Sequence, residues 1–362
     1  MNNGKEQRRK ERGSAAVPVV FLIALIAVST ALLAGISGTA FSAARLSVEL
    51  EDAAVCESQF TRAVALLSAR SARTVYWSES VKAIEESVNI RTGALVRIWD
   101  ASSQANLNWI DPQILRRLSP SPRAAQTVAR FEEYRETHGP ADRLPALLQM
   151  LGSEWEAGRE MAHQDGFLLP GRSCTPLFSA FGPASIHTAS VERLAFLIEQ
   201  WQEQPDSGAA RLAAVSLKNA SGTGNVEQAR LPSGSAARKA VDAGVLFVGP
   251  TVNVNFCDTR LLKALLESAG WSGSDAAAAA QGISSARGEG AITPSMLHLI
   301  LSRGGSGAGG ASGPALAIGT ETVAWRIEVI SERHVIRATL VKTGGNRSSS
   351  TLCILTKKVS PR

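Results

Sequence analysis

The chain has 362 residues, enough for two modest domains, with 44% apolar and 19% charged residues. Its formal net charge is +6, but the first 13 residues hold five basic and two acidic residues, so the remainder carries only +3. So small a surplus argues against an extended phosphate-binding surface, and we expect no nucleic-acid partner.

The dominant feature of the sequence is an apolar segment that begins after a basic stretch. No charged residue occurs between Arg12 and Arg45. About 20 apolar residues span a bilayer as a helix, and residues 14–36 meet that length. A secretory signal peptide has a shorter apolar core, which leaves a single-pass anchor or a segment processed at Gly13/Ser14 as the alternatives. In both cases the basic stretch would stay in the cytoplasm.

The apolar segment continues into an amphipathic helix over residues 45–71. Apolar residues recur there at intervals of three and four, interrupted only by Glu57, which is typical of one buried helix face. They are Leu46, Leu50, Ala53, Phe60, Val64 and Leu67. The simplest interpretation is one long helix over 14–72, with a kink at Gly35 or Gly38 as the alternative.

The middle of the chain reads as mostly helical. A strand is predicted at Leu95–Asp100, followed by the step Asn106-Leu107-Asn108 and a helix at Gln113–Leu118. Asn residues in such a step suit turn and cap chemistry, because their side chains satisfy free backbone N–H groups. We expect a helical segment over 106–303, in which Pro205–Ala237, rich in Gly, Ser and Ala, forms a loop.

Two segments of this region resemble each other, 181–202 and 248–268. Each has Gly-Pro, a short strand, a polar cap and an amphipathic helix, and the second contains Asn253-Val254-Asn255. Whether they are true repeats stays open.

The last section of the chain is predicted to be β. After a Gly-rich linker at 304–313, apolar and polar residues alternate over 323–329, and two more strands follow at Val335–Lys342 and Thr351–Lys357. This pattern predicts an antiparallel meander over 314–362 with one face for packing, which we expect to lie on the amphipathic half of the first helix. Cys353 and Cys56 would then be neighbours, although the pairing among Cys56, Cys174, Cys257 and Cys353 stays open.

Catalytic and metal motifs are absent from the sequence. None of the five His residues forms HExxH or another ligand pair, and neither GxSxG nor a P-loop occurs. We therefore expect that the protein is not an enzyme.

The order of these features resembles the minor pseudopilin known as type II secretion system protein K. A basic leader (1–13) ending in Gly13, cleavage before Ser14 and a long apolar helix are typical of pilins and pseudopilins. Most of these carry Glu at the fifth position after the cut; here it is Pro18, and protein K, the tip subunit, characteristically lacks that Glu. The family's recurring Asn steps resemble Asn106-Leu107-Asn108 and Asn253-Val254-Asn255. In the second step Phe256-Cys257 replaces the family's Thr-Ala.

This resemblance implies an α+β, pilin-like fold: a long helix packed on a small antiparallel sheet that is interrupted by a large α-helical insert. The sheet would begin within 73–105 and be completed by 314–362. The implied function is a non-catalytic tip subunit in the inner membrane, with a cytoplasmic N-terminus and its bulk in the periplasm. Implied partners are pseudopilins I and J, the prepilin peptidase and the assembly platform. Calcium binding is known in the family, but no Asp/Asn cluster here has EF-hand spacing, and no ligands are assigned. The alternatives are a minor pilin of a type IV pilus, or an unprocessed membrane protein with helix–hairpin–helix-like units.

Overall fold

A computed structural model of the chain describes residues 3–71, 84–89, 94–118, 123–141, 147, 151, 177–180, 182–222, 231–232, 234–248, 252–304, 317–343 and 351–361. These residues form a mixed helix and sheet structure with one long N-terminal helix and a small antiparallel sheet. The chain divides into two compact parts, Met1–Val55 and Cys56–Arg362.

Helix α1 covers Asn3–Ser71 without interruption, including Gly35 and Gly38. It starts earlier than the sequence pattern predicts, because residues 3–12 are Lys, Arg, Glu and Gln, which favour helix, between a few weaker formers. Pro18 therefore lies inside the helix, and it would occupy the first turn only in a chain cut after Gly13.

The first described part of α1 exposes an almost unbroken apolar surface. The large side chains between residues 20 and 50 are more than two-fifths exposed; they include Phe21, Ile26, Leu32, Ile36 and Phe41. Together with the absence of charge over 13–44, this exposure gives a segment long and apolar enough to cross a membrane.

The last part of α1 buries one face. Its buried residues lie along one side of the helix: Cys56, Gln59, Phe60, Ala63 and Leu67. Of the predicted apolar face, Phe60 and Leu67 are buried, whereas Leu46 and Leu50 are exposed.

The sheet has four antiparallel strands in the order β1-β8-β9-β10. Strand β1 is Leu95–Asp100, β8 is Ala324–Ile330, β9 is His334–Thr343 and β10 is Thr351–Pro361. The predicted first strand and meander are confirmed, and β1 pairs with β8 directly, from Leu95↔Ile330 to Asp100↔Trp325. The paired strands β1 and β8 therefore flank residues 101–323 in sequence.

The meander packs on α1, as the sequence predicts. Lys357 of β10 lies 4.7 Å from the centre of the Phe60 ring and pairs with Glu57. Cys56 Sγ lies 3.7 Å from the carbonyl oxygen of His334, at the start of β9.

The described residues within 101–323 are largely helical and include six two-residue strands. The helices are α3 (Pro112–Leu118), α4 (Ala124–His138), α5 (Val191–Glu199), α6 (Ser207–Gly222), α7 (Ala236–Asp242), α8 (Thr259–Ser268), α9 (Gly273–Glu289) and α10 (Pro294–Gly304), while α2 is the separate segment 84–89 before β1. The strands pair in parallel: β2 (Ala105–Asn106) with β3 (Phe178–Ser179), β4 (Ala184–Ser185) with β5 (Leu246–Phe247), and β6 (Val252–Asn253) with β7 (Ile318–Gly319).

The prediction of a loop over Pro205–Ala237 is wrong for its described residues. Helix α6 (Ser207–Gly222) occupies most of those described residues, and α7 begins at Ala236. The Gly and Ser content concealed a helical spacing of apolar residues, since Ala210, Ala214 and Leu217 are buried on one face. The Gly-rich linker at 304–313 lies outside the described residues, apart from Gly304, which ends α10.

Candidate functional site

The described part of the insert contains three turns of the same construction, each between a two-residue strand and a helix. We call them turn one (106–111), turn two (185–190) and turn three (253–258). In each, the carbonyl of the first residue accepts a hydrogen bond from the N–H four residues later: Ile110 to Asn106 (2.8 Å), Ala189 to Ser185 (2.9 Å) and Cys257 to Asn253 (3.0 Å). The second residue is apolar and fully buried in every case: Leu107, Ile186 and Val254.

The first residue of each turn fixes the backbone through its side-chain oxygen. That oxygen accepts the N–H two residues later: Asn108 to Asn106 (3.1 Å), His187 to Ser185 (3.2 Å) and Asn255 to Asn253 (3.0 Å). In turns one and three, which begin with Asn, the side-chain amide nitrogen of that Asn donates a further hydrogen bond. Asn106 Nδ2 donates to the carbonyl of Gly182, and Asn253 Nδ2 donates to Thr322 Oγ1, both at 3.0 Å. Gly182 lies three residues after β3, and Thr322 lies three residues after β7. Each Asn therefore connects its turn to the chain just beyond the strand that pairs with the strand before the turn.

The third residue distinguishes the turns. Asn108 exchanges two hydrogen bonds with the backbone of Ala141, each 2.9 Å long. Asn255 does the same with Ile292, at 3.2 and 2.7 Å. Ala141 lies three residues after the end of α4, and Ile292 lies three residues after the end of α9. The sequence steps 106–108 and 253–255 are therefore backbone clamps, and turn two has His187 at this position.

Each turn is followed by two helices, and a basic side chain on the second of them donates a hydrogen bond to a carbonyl of the turn. These second helices are α4, α6 and α9. The distances are 2.8 Å from Arg135 Nη1 to Leu107, 3.3 Å from Lys218 Nζ to His187 and 2.6 Å from Arg287 Nη1 to Cys257. Free carbonyls at a buried turn are costly, and a cationic donor satisfies them with a strong hydrogen bond. We define unit one as 105–180, unit two as 184–248 and unit three as 252–320, each built on one such turn.

Arg135 is the most deeply buried of these cations, with only 1% of its surface exposed. It also donates to the carbonyl of Ile110, stacks on Phe131 and pairs with Glu132. Burial, with the nearby charge of Arg193, lowers the pKa of Arg135 to about 9. Arg193 of unit two donates to the carbonyl of Arg135 at 3.3 Å, so this cluster also joins units one and two.

The junction between the sheet and the insert is built around Asp100, the last residue of β1. Its Oδ1 accepts from Ser102 N and Oγ (2.7 and 2.5 Å) and from Ser103 N (3.1 Å), and its Oδ2 accepts from Thr322 Oγ1 (2.5 Å). Thr322 immediately precedes the return of the chain to the sheet, and it also binds Asn253. One buried carboxyl thus holds together the exit from the sheet, the re-entry to it and turn three. Burial raises the pKa of Asp100, against the lowering effect of these hydrogen bonds.

His187 is the titratable residue of turn two. Burial, and then the positive charge of Lys218, lower its pKa to about 4, so the ring is neutral near pH 7. A neutral imidazole is the form that replaces the Asn of turns one and three.

These arrangements connect parts of the protein's own chain. The buried acid, bases and amides of the junction and turns bind the protein's own backbone. Among the described residues, no group of three or more His, Cys, Asp or Glu is placed to hold a metal ion.

The remaining sequence-predicted residues lie apart from the turns. Gly13, Ser14 and Pro18 belong to α1, and their side chains lie outside the described part. The expectation that Cys353 neighbours Cys56 does not fit the register. Cys353 pairs with Val341, whereas Cys56 contacts His334, seven residues away along β9. Cys56 and Cys257 are both buried.

Sequence reasoning identified the Asn steps and the likeness between 181–202 and 248–268, which contain turns two and three, but it missed Asp100 and Arg135. The likeness extends to single residues, because Ser185 and Ser190 bind backbone N–H groups at the same spacing as Asn253 and Asp258.

The chain matches no protein-family model and no curated protein sequence.

Proposed function

We propose that this chain is a structural, non-catalytic minor pseudopilin that sits at the tip of a type II secretion pseudopilus. The observation that carries the proposal is the direct pairing of β1 with β8 across residues 101–323, combined with packing of α1 on the meander through Glu57, Phe60 and Lys357. A pilin-like subunit interrupted by a helical insert would have this arrangement.

The start of the sequence supports the same proposal. A basic segment ends at Gly13, an uncharged apolar stretch follows, and the apolar side chains of the described part of α1 are exposed. In water such a surface would be unfavourable, whereas a bilayer or the helices of neighbouring subunits would cover it. We propose a single-pass inner-membrane location before assembly, with the N-terminus in the cytoplasm and the bulk of the chain in the periplasm.

Pro18 supports the tip position. In pilin-like subunits the Glu at the fifth position is explained by pairing with the N-terminal amine of the subunit ahead. A carboxylate in lipid is costly without such a partner, and a tip subunit has no subunit ahead of it. The insert would cover the tip and prevent further addition above it.

The proposed partners are the minor pseudopilins I and J, the prepilin peptidase and the inner-membrane assembly platform. The test is to coexpress the full chain with the minor pseudopilins I and J of a type II secretion system and to purify it from detergent. We expect a stoichiometric complex that is lost when 14–44 are replaced by an unrelated membrane helix.

Two results would overturn this assignment. Copurification with the subunits of a type IV pilus would make the chain a minor pilin of that machine. Unprocessed chain alone in the membrane, with no pilin-like partner, would leave a plain anchored protein.

A further inference from the structure

The two edges of the four-stranded sheet are built differently. At the β1 edge, side chains from α2 occupy the backbone groups that another strand would need. Asn89 Oδ1 accepts from Val96 N at 2.7 Å, Asn89 Nδ2 donates to Val96 O at 3.3 Å, and Glu85 Oε1 accepts from Ile98 N at 2.6 Å. Covering an edge in this way prevents strand addition. The β1 edge is therefore closed.

Strand β10 forms the opposite edge, and it is the longest strand of the sheet at 11 residues. Ile354 and Val359 are 50% and 54% exposed, and Lys357 and Lys358 are also exposed. An unpaired row of N–H and C=O groups beside exposed apolar side chains is a template for pairing with another chain.

The charge along this edge indicates what kind of strand fits. Residues 351–362 contain Lys357, Lys358 and Arg362 and no acid. Across the sheet the register runs Arg97↔Glu328, Glu328↔Arg337 and Arg337↔Lys358. Glu328 pairs with Arg337 at 2.9 Å and with Arg97 at 4.0 Å, which leaves Lys358 as the outermost cation of the row. A carboxylate on a fifth strand would lie beside Lys358.

Self-pairing of two copies through this edge is disfavoured by the same charges. Two β10 strands paired antiparallel about their middle would bring lysines of one copy close to lysines of the other, and like charges on neighbouring strands are destabilising.

We propose that β10 accepts an extended acidic segment of another protein as a fifth strand, with a carboxylate of that segment beside Lys358. This inference rests on the sheet alone and holds whether or not the chain is a pseudopilin.

The test uses the full chain in detergent and two synthetic peptides of alternating Thr and Val, one with Glu at its central positions and one with Lys there. Hydrogen exchange is followed at β10 and, as an internal control, at the closed β1 edge. We expect the Glu peptide to bind, as measured by fluorescence anisotropy, and to slow exchange in β10 while leaving Val96 and Ile98 unchanged.

Charge reversal sharpens the test. Lys358→Glu should weaken binding of the Glu peptide by about fivefold or more and should favour the Lys peptide, because an attractive cross-strand pair becomes a repulsive one. Arg211→Glu makes the same charge change on an exposed residue of α6 and should change neither affinity.

Three results would overturn the proposal. The first is that neither peptide slows exchange in β10. The second is equal binding of both peptides, which would make Lys358 a mere guard against aggregation. The third is concentration-dependent protection of β10 without peptide, which would show self-pairing.

Discussion

Turns two and three share a backbone but not the side chains that hold it. In turn three Asn253 and Asn255 together make four side-chain hydrogen bonds, which reach Thr322 and Ile292 as well as the turn itself. In turn two Ser185 fixes only the turn, and His187 stands at the third position. The same local fold is therefore compatible with two chemistries, and the Asn residues add connections to distant parts of the unit.

This difference matters because of where the units lie. Units one and three share one hydrophobic core, whose members include Leu107, Phe131, Val254 and Leu262, while unit two has its own core around Leu194 and Leu246. The Asn clamps thus occur in the two units that pack together, and turn three also contacts the Asp100 junction. We expect changes at turn three to cost more than changes at turn two.

The largest effect is expected at the junction itself. Asp100→Ala removes the acceptor of four hydrogen bonds and leaves buried donors on Ser102, Ser103 and Thr322, so we expect a loss of about 3–4 kcal/mol of unfolding free energy. Urea unfolding of the full chain in detergent, followed by Trp fluorescence, measures it. Asp242→Ala, which breaks an exposed pair with Arg238, should cost under about 1 kcal/mol, and equal losses for the two variants would contradict this account.

Asp100 also predicts a pH dependence. Its pKa is raised in the folded chain, so the folded state holds the proton more tightly, and ionisation as the pH rises above the ordinary Asp range removes stability. Asp100→Asn, which cannot ionise, should therefore gain stability relative to the native chain between pH 4 and pH 7. A constant difference across that range would show that Asp100 does not titrate in it.

The comparison of turns is tested next by Asn255→Ala. This variant leaves the buried N–H and C=O of Ile292 without their side-chain partner, and we expect a loss of about 2 kcal/mol. Asn255→His, which copies the residue of turn two, should lose a similar amount. Asn219→Ala on the exposed face of α6 is the control and should be near neutral; a His variant as stable as the native chain would show that the clamp contributes little.

At turn two the expected effect depends on pH. The pKa of His187 is lowered to about 4, so the folded state disfavours the imidazolium, and stability is lost as the pH falls from about 6.5 toward 4. His187 is partly accessible to solvent, which reduces the loss to about 1–2 kcal/mol. Melting temperatures of His187→Asn should be flatter over this range than those of the native chain, and His298→Asn at an exposed site should not flatten them.

The smallest expected effect is at the helix caps, where turns two and three should be alike. Ser190 accepts from the N–H of Arg193, and Asp258 from that of Arg260. Replacing either by Ala should cost about 1 kcal/mol in the same unfolding assay. If one cap cost several times more than the other, the difference between the turns would not be confined to their first and third residues.

The sequence predicts well those parts of the fold whose signals are local. The alternation at 323–329, the cap at Asp258 and the apolar face of α8 give β8 and α8 nearly to the residue. The two-residue parallel strands are too short to produce a pattern. Helix α6 was hidden by Gly and Ser, because composition outweighed the spacing of Ala210, Ala214 and Leu217.

The residues of the candidate site were harder to predict from the sequence, for a different reason. Asp100 and Thr322 are 222 residues apart in sequence, and no local sequence pattern predicts that their side chains form a hydrogen bond. Arg135 likewise looks like one of many surface cations on a helix, and only the fold reveals that it is buried beneath turn one.

The central claim, that the chain is a processed pilin-like subunit, is tested most directly by sequencing the mature N-terminus. The full chain would be expressed with and without a prepilin peptidase, beside a Gly13→Val variant that should remain uncut. The account predicts a new N-terminus at Ser14 that depends on the peptidase and on Gly13. A chain that keeps its first 13 residues, or is cut elsewhere, would contradict it.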